Sequence, residues 1–167
     1  MLSLFFKNNF YRWGKNNYLD GILVITEHVN ATYFISFDHL YQKNNLGLNF
    51  YSIWEEKFIK FNIKKILYFV SKNNIKFILL TRAKSKKMLE IALNIKSAYP
   101  DIKFIYHIDD DLFSLPKSLG PIVYNRHMNK AVLSSRKKLI QLSNLVYSST
   151  SPLTERLSKR FPKQNFF

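Results

Sequence analysis

The sequence predicts an α/β fold built on a doubly wound parallel sheet with helices on both faces. Two observations support this prediction. Short apolar runs rich in β-branched residues, typical of strands buried on both faces, alternate with longer segments whose apolar residues keep helical spacing. The connections between these segments are only a few residues long, which indicates repeated βαβ units.

Five runs are predicted as strands, the second of them from a weaker signal: residues 21–26, 48–53, 75–81, 102–108 and 145–149. Helical spacing predicts helices between and after them: residues 31–43, 55–72, 85–98, about 125–142, and a last helix that starts at Ser151 and Pro152. Serine is a favourable N-cap and proline fits the first helical position. Residues 1–20 are predicted to be an N-terminal extension, and residues 21–167 one domain.

Composition narrows the class of protein. The chain has 167 residues and no cysteine, which excludes disulfides and thiolate metal sites and fits a reducing cytoplasm. Hydrophobic residues make up 47%, too many for a disordered chain. No apolar stretch approaches the roughly 18–20 residues of a membrane span. We therefore expect a cytoplasmic protein, at most resting on the inner face of the membrane.

The net charge of +15 leaves three interpretations open. Most lysines fall on the polar faces of amphipathic segments, so the charge can reflect solvated surfaces and AT-rich codon usage. It can also attract the chain to anionic lipid or another polyanion. Nucleic acid is the least favoured partner, because neither an arginine-rich arm nor a nucleic-acid-binding signature accompanies the lysines.

Three consecutive aspartates, Asp109, Asp110 and Asp111, follow the fourth predicted strand. The carboxyl ends of parallel strands meet at the edge of the sheet where α/β proteins bind their ligands. Adjacent carboxylates repel each other unless a cation, a hydroxyl-rich ligand or backbone donors compensate. The alternative is that the aspartates cap a following helix and bind nothing.

Other polar residues are predicted at the same edge. Glu27, His28 and Asn30 follow the first strand, Arg82 follows the third, and Thr150 follows the fifth. Such a group suits a polyhydroxylated ligand, because each side chain can hydrogen-bond to sugar hydroxyls.

Single residues of this group have alternative roles. His28 is either a general base or a plain hydrogen-bonding residue. Arg82 either holds a phosphate or carboxylate, or pairs with an aspartate of the neighbouring strand. Thr150 is either a ligand or a helix cap.

The chain resembles a known enzyme family in several stretches. They are IYHIDDDLFSLPKSLG (residues 105–120), NRH (125–127), NLVYSSTSPLTERL (144–157) and TRAKS (81–85). Their order resembles the N-terminal, Rossmann-like half of a GT-B glycosyltransferase, over roughly residues 22–162. Asn144 stands where that family usually has aspartate, and no glycine-rich turn follows the first strand.

The resemblance implies the acceptor-binding half of an enzyme that moves a sugar from a nucleotide-sugar to a hydroxyl. The acceptor would be a carbohydrate, a lipid or a protein, and the nucleotide-sugar is a co-substrate, so no cofactor or metal is expected. The glycine-rich loop and paired glutamates of the donor half are absent from the sequence. A further domain or partner chain would supply them, and this chain alone is expected to be inactive.

Under this interpretation each candidate residue takes a role. His28 and Asp111 are the predicted catalytic residues. The predicted substrate-binding residues are Glu27, Asn30, Arg82, Asp109, Asp110 and Thr150.

Two other function classes stay open. Asp109, Asp110 and Asp111 also satisfy the Asp-x-Asp pattern with which GT-A glycosyltransferases hold Mn²⁺ or Mg²⁺. The chain could equally be a non-catalytic binding or assembly module that docks onto a partner.

Overall fold

The structure, a computed structural model, describes residues 11–13, 20–27 and 49–167. Its strands are β1 (Tyr11–Trp13), β2 (Gly21–Thr26), β3 (Asn49–Trp54), β4 (Ile75–Thr81), β5 (Lys103–Ile108) and β6 (Leu145–Ser148). Its helices are α1 (Glu55–Phe58), α2 (Ile63–Lys72), α3 (Lys86–Ala98), α4 (Pro121–Met128), α5 (Lys130–Leu142) and α6 (Ser151–Arg160), with a 3₁₀ turn at Lys117–Leu119. The helix predicted over residues 31–43 lies outside the described residues.

The described strands form one sheet in the order β1-β3-β2-β4-β5-β6. Strands β2 to β6 are parallel, and β1 adds an antiparallel edge next to β3. The predicted α/β fold class, a doubly wound parallel sheet, is therefore confirmed. Each predicted strand agrees with the observed one to within a residue, and β1 lies in the segment predicted to be an N-terminal extension.

The main hydrophobic core lies between one face of this sheet and the helices. Leu23, Ile78 and Phe104 are register partners on three neighbouring strands, and all three are fully buried. They belong to the same cluster as Met88 of α3 and Leu139 of α5. Alternation along the strands and helical spacing along the helices both direct apolar side chains into this layer. Among the described residues, every helix falls short of the length and apolarity needed to cross a membrane.

One predicted helix, residues 55–72, is divided in the structure. Helix α1 ends at Phe58, and α2 begins only at Ile63. Asn62 lies between them, and its side chain accepts a hydrogen bond of 2.8 Å from the backbone N–H of Lys64. An asparagine that caps a new helix in this way competes with continuation of the old one. The helical spacing of the apolar residues did not reveal the break.

The predicted helix over residues 125–142 is also wrong in its bounds. It begins earlier, at Pro121, and it is interrupted between α4 and α5. Asn129 caps α5 by accepting a hydrogen bond of 2.8 Å from the backbone N–H of Ala131. The last predicted helix is correct, but it begins at Ser151 with Thr150, not Ser151, in the N-cap position.

Asn144 joins β5 to β6 at the start of β6. Its backbone N–H donates to the carbonyl of Phe104 at 2.7 Å, and its side-chain oxygen accepts from the N–H of Phe104 at 2.9 Å. A carboxylate oxygen could accept the second bond equally well. This is the position where the resembling family usually has aspartate, so the departure does not disturb the sheet.

Gly21 is a position where a side chain would not fit. A Cβ atom there would lie 2.7 Å from the carbonyl oxygen of Asn73 and 2.8 Å from Cδ1 of Ile75. The neighbouring backbone is held in place, because the N–H of Gly21 donates to the carbonyl of Asn74 at 2.9 Å.

We predict that Gly21→Ala lowers the free energy of unfolding by about 1–3 kcal/mol, because the added methyl group overpacks this contact. Urea unfolding measures the change. Gly120→Ala is the comparison, since a Cβ there meets no atom within 4 Å and its cost arises from φ of +87° alone. A loss for Gly21→Ala well below about 1 kcal/mol would contradict the prediction.

Candidate functional site

The strand order places a crevice at the carboxyl ends of β2 and β4. From β2 the chain crosses to β3 on one side, and it later returns to β4 on the other side. Where strand order reverses in this way, the connections leave a gap that α/β proteins use for ligand binding. Glu27 directly follows β2 and Arg82 directly follows β4, so both stand at this gap.

Five charged residues meet at the crevice and form what we call the crevice cluster: Glu27, Arg82, Lys84, Asp109 and Asp110. The Nζ atom of Lys84 contacts Oε1 of Glu27, and Nε of Arg82 lies 3.6 Å from Oε2 of the same carboxylate. One terminal nitrogen of Arg82 lies 3.3 Å from Asp109 and 3.2 Å from Asp110. Three carboxylates thus share two cations.

Burial differs sharply within the crevice cluster. The side chains of Glu27, Arg82 and Asp109 are 8%, 17% and 16% exposed, whereas that of Asp110 is 59% exposed. Asp110 is therefore the carboxylate of the cluster that a ligand can reach most easily. The buried pairs hold the strand ends together, since breaking a buried pair leaves an uncompensated charge.

The backbone at Arg82 is in the left-handed region, with φ of +57°. This conformation costs a non-glycine residue about 1–2 kcal/mol and persists only where the surroundings impose it. The N–H of Arg82 donates to the carbonyl of His107 at 3.0 Å, and the N–H of Glu27 donates to the carbonyl of Thr81 at 3.1 Å. These bonds fix the ends of β2, β4 and β5 against one another.

The loop after Arg82 is anchored by Glu55, at the start of α1. The Glu55 carboxylate is 5% exposed and accepts hydrogen bonds from the backbone N–H groups of Ser85, at 2.9 Å, and Lys84, at 3.3 Å. Ser85 in turn caps α3 by accepting from the N–H of Met88 at 3.0 Å. Glu55 thus holds the backbone of Lys84, while the side chain of Lys84 pairs with Glu27.

His127, in the last turn of α4, is 7% exposed and is oriented by a buried arginine. Arg136 of α5 is fully buried, and it donates one N–H to Nδ1 of His127 at 3.3 Å and others to the carbonyl oxygens of Leu112 and His127. An arginine cannot accept a hydrogen bond, so Nδ1 of the neutral imidazole is the acceptor and Nε2 carries the proton.

Burial lowers the pKa of His127 to about 4, and the charges of Lys84, Arg136 and Arg82 act in the same direction against that of Glu27. The imidazole is therefore neutral near pH 7 and offers a fixed N–H donor at Nε2. The charges that act on its pKa include those of Glu27, Lys84 and Arg82, three members of the crevice cluster. This residue is thus suited to donate a hydrogen bond rather than to accept a proton.

The neighbouring cations Lys84 and Arg82 keep the carboxyl group of Glu27 ionised. Burial alone would raise the pKa of its carboxyl, but the hydrogen bond and charge of Lys84, together with the charge of Arg82, lower it. Glu27, Lys84 and Ser85 also line a hollow of about 220 Å³ against Ile59. Ligand sites of about 300–1,000 Å³ are usual, so the hollow by itself encloses only part of a drug-sized ligand.

The structure separates Asp111 from the other two aspartates. Its carboxylate accepts a hydrogen bond of 3.2 Å from the N–H of Phe113. It lines a second hollow of about 380 Å³, together with Arg156, Lys159 and Arg160 of α6. Of the three consecutive aspartates, Asp109 and Asp110 therefore share Arg82, while Asp111 faces a different part of the surface.

Thr150 lies at the end of β6, beside the crevice edge. It holds the N-cap position of α6 without a side-chain capping bond, and its carbonyl oxygen accepts from the N–H of Thr154 at 2.9 Å. The preceding Ser149 donates its hydroxyl to the carbonyl of Asp109 at 3.1 Å, which links the ends of β5 and β6. The hydroxyl of Thr150 thus remains available at an exposed position.

His28 and Asn30, which the sequence placed beside Glu27, lie outside the described residues. Conversely, sequence reasoning did not single out Lys84, His127 or Glu55. Lys84 and His127 do lie in the stretches TRAKS and NRH that carried the resemblance, so that signal pointed toward them. Glu55 had no such signal, because its role depends on the loop that packs against it.

The three aspartates do not form a metal site in their observed arrangement. Within residues 11–13, 20–27 and 49–167, no group of three or more His, Cys, Asp or Glu residues could hold a metal ion. Asp109 and Asp110 contact the guanidinium of Arg82, which takes the position that a cation between them would need. The Asp-x-Asp pattern of the sequence is therefore not gathered into one site in space.

Comparisons with known proteins give a distant structural similarity and no match in sequence. No family model matches it, and no curated protein matches it in sequence. It is similar in structure to a GDP-L-fucose synthetase from Naegleria fowleri, with 12% identity and a TM-score of 0.46. The similarity covers 89% of this chain and 48% of that one, so this chain spans about half of that protein's length. A likeness this distant carries no argument about chemistry.

We predict that Glu55→Gln lowers the free energy of unfolding by about 1–3 kcal/mol, because it weakens two hydrogen bonds to a buried carboxylate. The neighbouring Glu56→Gln is a matched control. Glu56 pairs with Lys60 at the surface, at side-chain exposures of 73% and 69%, so we expect a change within about 0.5 kcal/mol. Urea unfolding of both variants measures the difference, and equal losses would contradict the anchoring role.

We also predict that His127 does not titrate between pH 8 and 5 in the folded protein, because its pKa is lowered to about 4. NMR of the imidazole nitrogens should show a neutral ring protonated at Nε2, and His127→Gln assigns the signal. His107, whose pKa burial also lowers to about 4, serves as the internal comparison. A midpoint near 6.5, or a proton on Nδ1, would contradict the arrangement with Arg136.

The same shift sets a pH dependence of stability. An unfolded histidine binds its proton near pH 6.5, whereas folded His127 and His107 do so only near pH 4. Their contribution to stability is therefore fully present above about pH 6.5 and is lost as the pH falls toward 4. In His127→Gln the loss over that range should be smaller than in the wild type.

Proposed function

We propose that the chain binds a polyhydroxylated acceptor at the crevice and forms the acceptor side of a GT-B-type glycosyltransferase. The observation that carries the proposal is the crevice cluster at the point where strand order reverses. A sugar presents hydroxyls that both donate and accept hydrogen bonds. The crevice supplies a reachable acceptor, Asp110, and a fixed donor, Nε2 of His127, which match such a ligand.

Each described residue would act in a defined way. Asp110 would accept a hydrogen bond from an acceptor hydroxyl, and His127 would donate one to a neighbouring oxygen. Arg82 would hold Asp109 and Asp110 apart at fixed positions. The paired cations keep Glu27 ionised, so it can accept from a second hydroxyl without becoming protonated. Thr150 would add a hydroxyl at the β6 side of the crevice.

The proton of the attacking hydroxyl needs a base. His28, directly after Glu27 in the sequence, stays our proposed base, and Asn30 and Asp111 stay proposed members of the wider site. Neither described residue suits this role better, because His127 already carries its proton at Nε2 and Glu27 is held in its ion pair with Lys84. A residue with a pKa near the working pH serves best as a base.

The nucleotide-sugar, which donates the transferred sugar, would be bound by another domain or by a partner chain. The hollow at Glu27 and Lys84 has about 220 Å³ and is open, so it leaves room for only part of the reacting pair. A second domain or partner chain that carries the nucleotide-sugar would close over it and exclude water. We propose that this reaction takes place in the cytoplasm, because a chain without cysteine fits a reducing compartment. The nucleotide-sugar would be a co-substrate, so the reaction would need no bound cofactor.

The test is glycan binding by the chain itself. A glycan array probed with labelled protein identifies a candidate acceptor, and isothermal titration then gives its affinity. We predict that Asp110→Asn weakens binding by about tenfold or more, because a hydrogen bond to a charged group is lost. Asp101→Asn, at the opposite end of β5, is the matched control and should leave the affinity unchanged.

Three outcomes would contradict the proposal. They are an absence of glycan binding, an affinity that Asp110→Asn leaves unchanged, and tight metal-dependent binding of a nucleotide-sugar by this chain alone. The last outcome would instead favour the metal-dependent GT-A alternative.

A further inference from the structure

One segment of the surface carries a group of exposed aliphatic side chains. Among the described residues, the large hydrophobic side chains that are strongly exposed are Tyr68, Leu93, Leu119, Ile122, Val123 and Phe167. Three of these six lie within five consecutive positions, where Leu119 is 49%, Ile122 75% and Val123 40% exposed. Single exposed hydrophobic residues are normal, but a contiguous group marks an interaction surface. We call these three residues the apolar lip.

The fold holds the apolar lip outward. The 3₁₀ turn Lys117–Leu119 and the first turn of α4 project it, and Gly120 joins them with φ of +87°, a conformation that favours glycine. The buried side of α4 carries His127, held by Arg136. Ile122 and Val123 share the eight-residue helix α4 with His127, so they lie within about 12 Å of it along the helix axis.

The chain segment that carries the lip is basic. Residues 112–154 contain six lysines and arginines, of which Arg136 is buried, and no aspartate or glutamate. Lys117 and Arg126 flank the lip directly, and both are exposed. A chain of net charge +15 thus presents aliphatic side chains in a basic surround formed by Lys117 and Arg126.

We propose that the apolar lip docks the protein onto a bilayer that contains anionic lipid, with the crevice beside the bilayer surface. Aliphatic side chains enter the interface between headgroups and acyl chains, while lysine and arginine remain among the anionic headgroups. A second copy of this chain fits poorly, because it would bring like charges together. Nucleic acid uses the charge but gains nothing from exposed isoleucine and valine.

This proposal does not depend on the proposed function, because vesicle binding is measured without glycan or nucleotide-sugar. If both hold, the acceptor is one that is presented at a membrane surface. The two can fail separately: loss of glycan binding in Asp110→Asn says nothing about docking, and loss of docking leaves the glycan affinity of the crevice unchanged.

The test is co-sedimentation of the full chain with vesicles of phosphatidylcholine containing about one-third phosphatidylglycerol, compared with phosphatidylcholine alone. We predict binding to the anionic vesicles, weakening as salt is raised. The double variant I122S/V123S should lower partitioning by about tenfold or more, since the aliphatic insertion is lost. The control L93S, which removes an equally exposed side chain from α3, should change it less than about twofold.

A second pair of variants tests the basic surround. K117E/R126E should reduce partitioning by at least about tenfold. K76E/K103E makes the same change of net charge at the amino-terminal ends of β4 and β5, the opposite edge of the sheet, and should have a much smaller effect.

Several results would overturn the proposal. Equal partitioning of wild type and I122S/V123S would show that the aliphatic side chains do not contribute and that the surface binds polyanions in general. Equal binding to neutral and anionic vesicles would remove the role of charge. A dimer in solution that I122S/V123S converts to a monomer would assign the apolar lip to a second copy of the chain.

Discussion

The ion pairs of Arg82 are the interaction on which the rest of the candidate site depends. Its guanidinium contacts Glu27 after β2 and both Asp109 and Asp110 after β5, while its own backbone ends β4. One side chain therefore ties together the ends of three neighbouring strands. The backbone of Arg82 is in the strained left-handed region, and the ion pairs of its side chain help to keep it there. Without those pairs, three carboxylates would repel one another in a partly buried place.

A second layer of buried polar contacts surrounds this centre. Glu55 fixes the loop that carries Lys84, and Arg136 fixes the orientation and tautomer of His127. Both anchors are almost completely buried, where an unpaired polar group costs most. The consequence is a site whose protonation is set in advance: Glu27 is ionised by its cations, and His127 is neutral by its burial. The helix that buries His127 also exposes Ile122 and Val123 of the apolar lip.

The fold could be predicted from the sequence because periodicity is a local property. Strands such as Gly21–Thr26 and Ile75–Thr81 were predicted with their observed bounds, since apolar runs flanked by polar turns leave few alternatives. The errors fell where two signals conflicted. At Asn62 and Asn129 the apolar spacing favoured one continuous helix, but the asparagine side chains cap new helices and end the old ones. Side-chain capping is decided by backbone geometry that spacing does not encode.

The sequence by itself determined that polar residues would gather at one edge of a parallel sheet, because the carboxyl ends of parallel strands must meet there. It placed Glu27, Arg82, Asp109 and Asp110 at that edge, and the structure brings these four into contact. Only the tertiary structure decided how they pair, and it turned Asp111 away toward α6. Only the tertiary structure also brought in Lys84, His127 and Glu55. Lys84 contacts Glu27 57 positions away, Glu55 contacts Ser85 30 positions away, and His127 is held by Arg136 of the next helix. Such contacts depend on packing that no local pattern records.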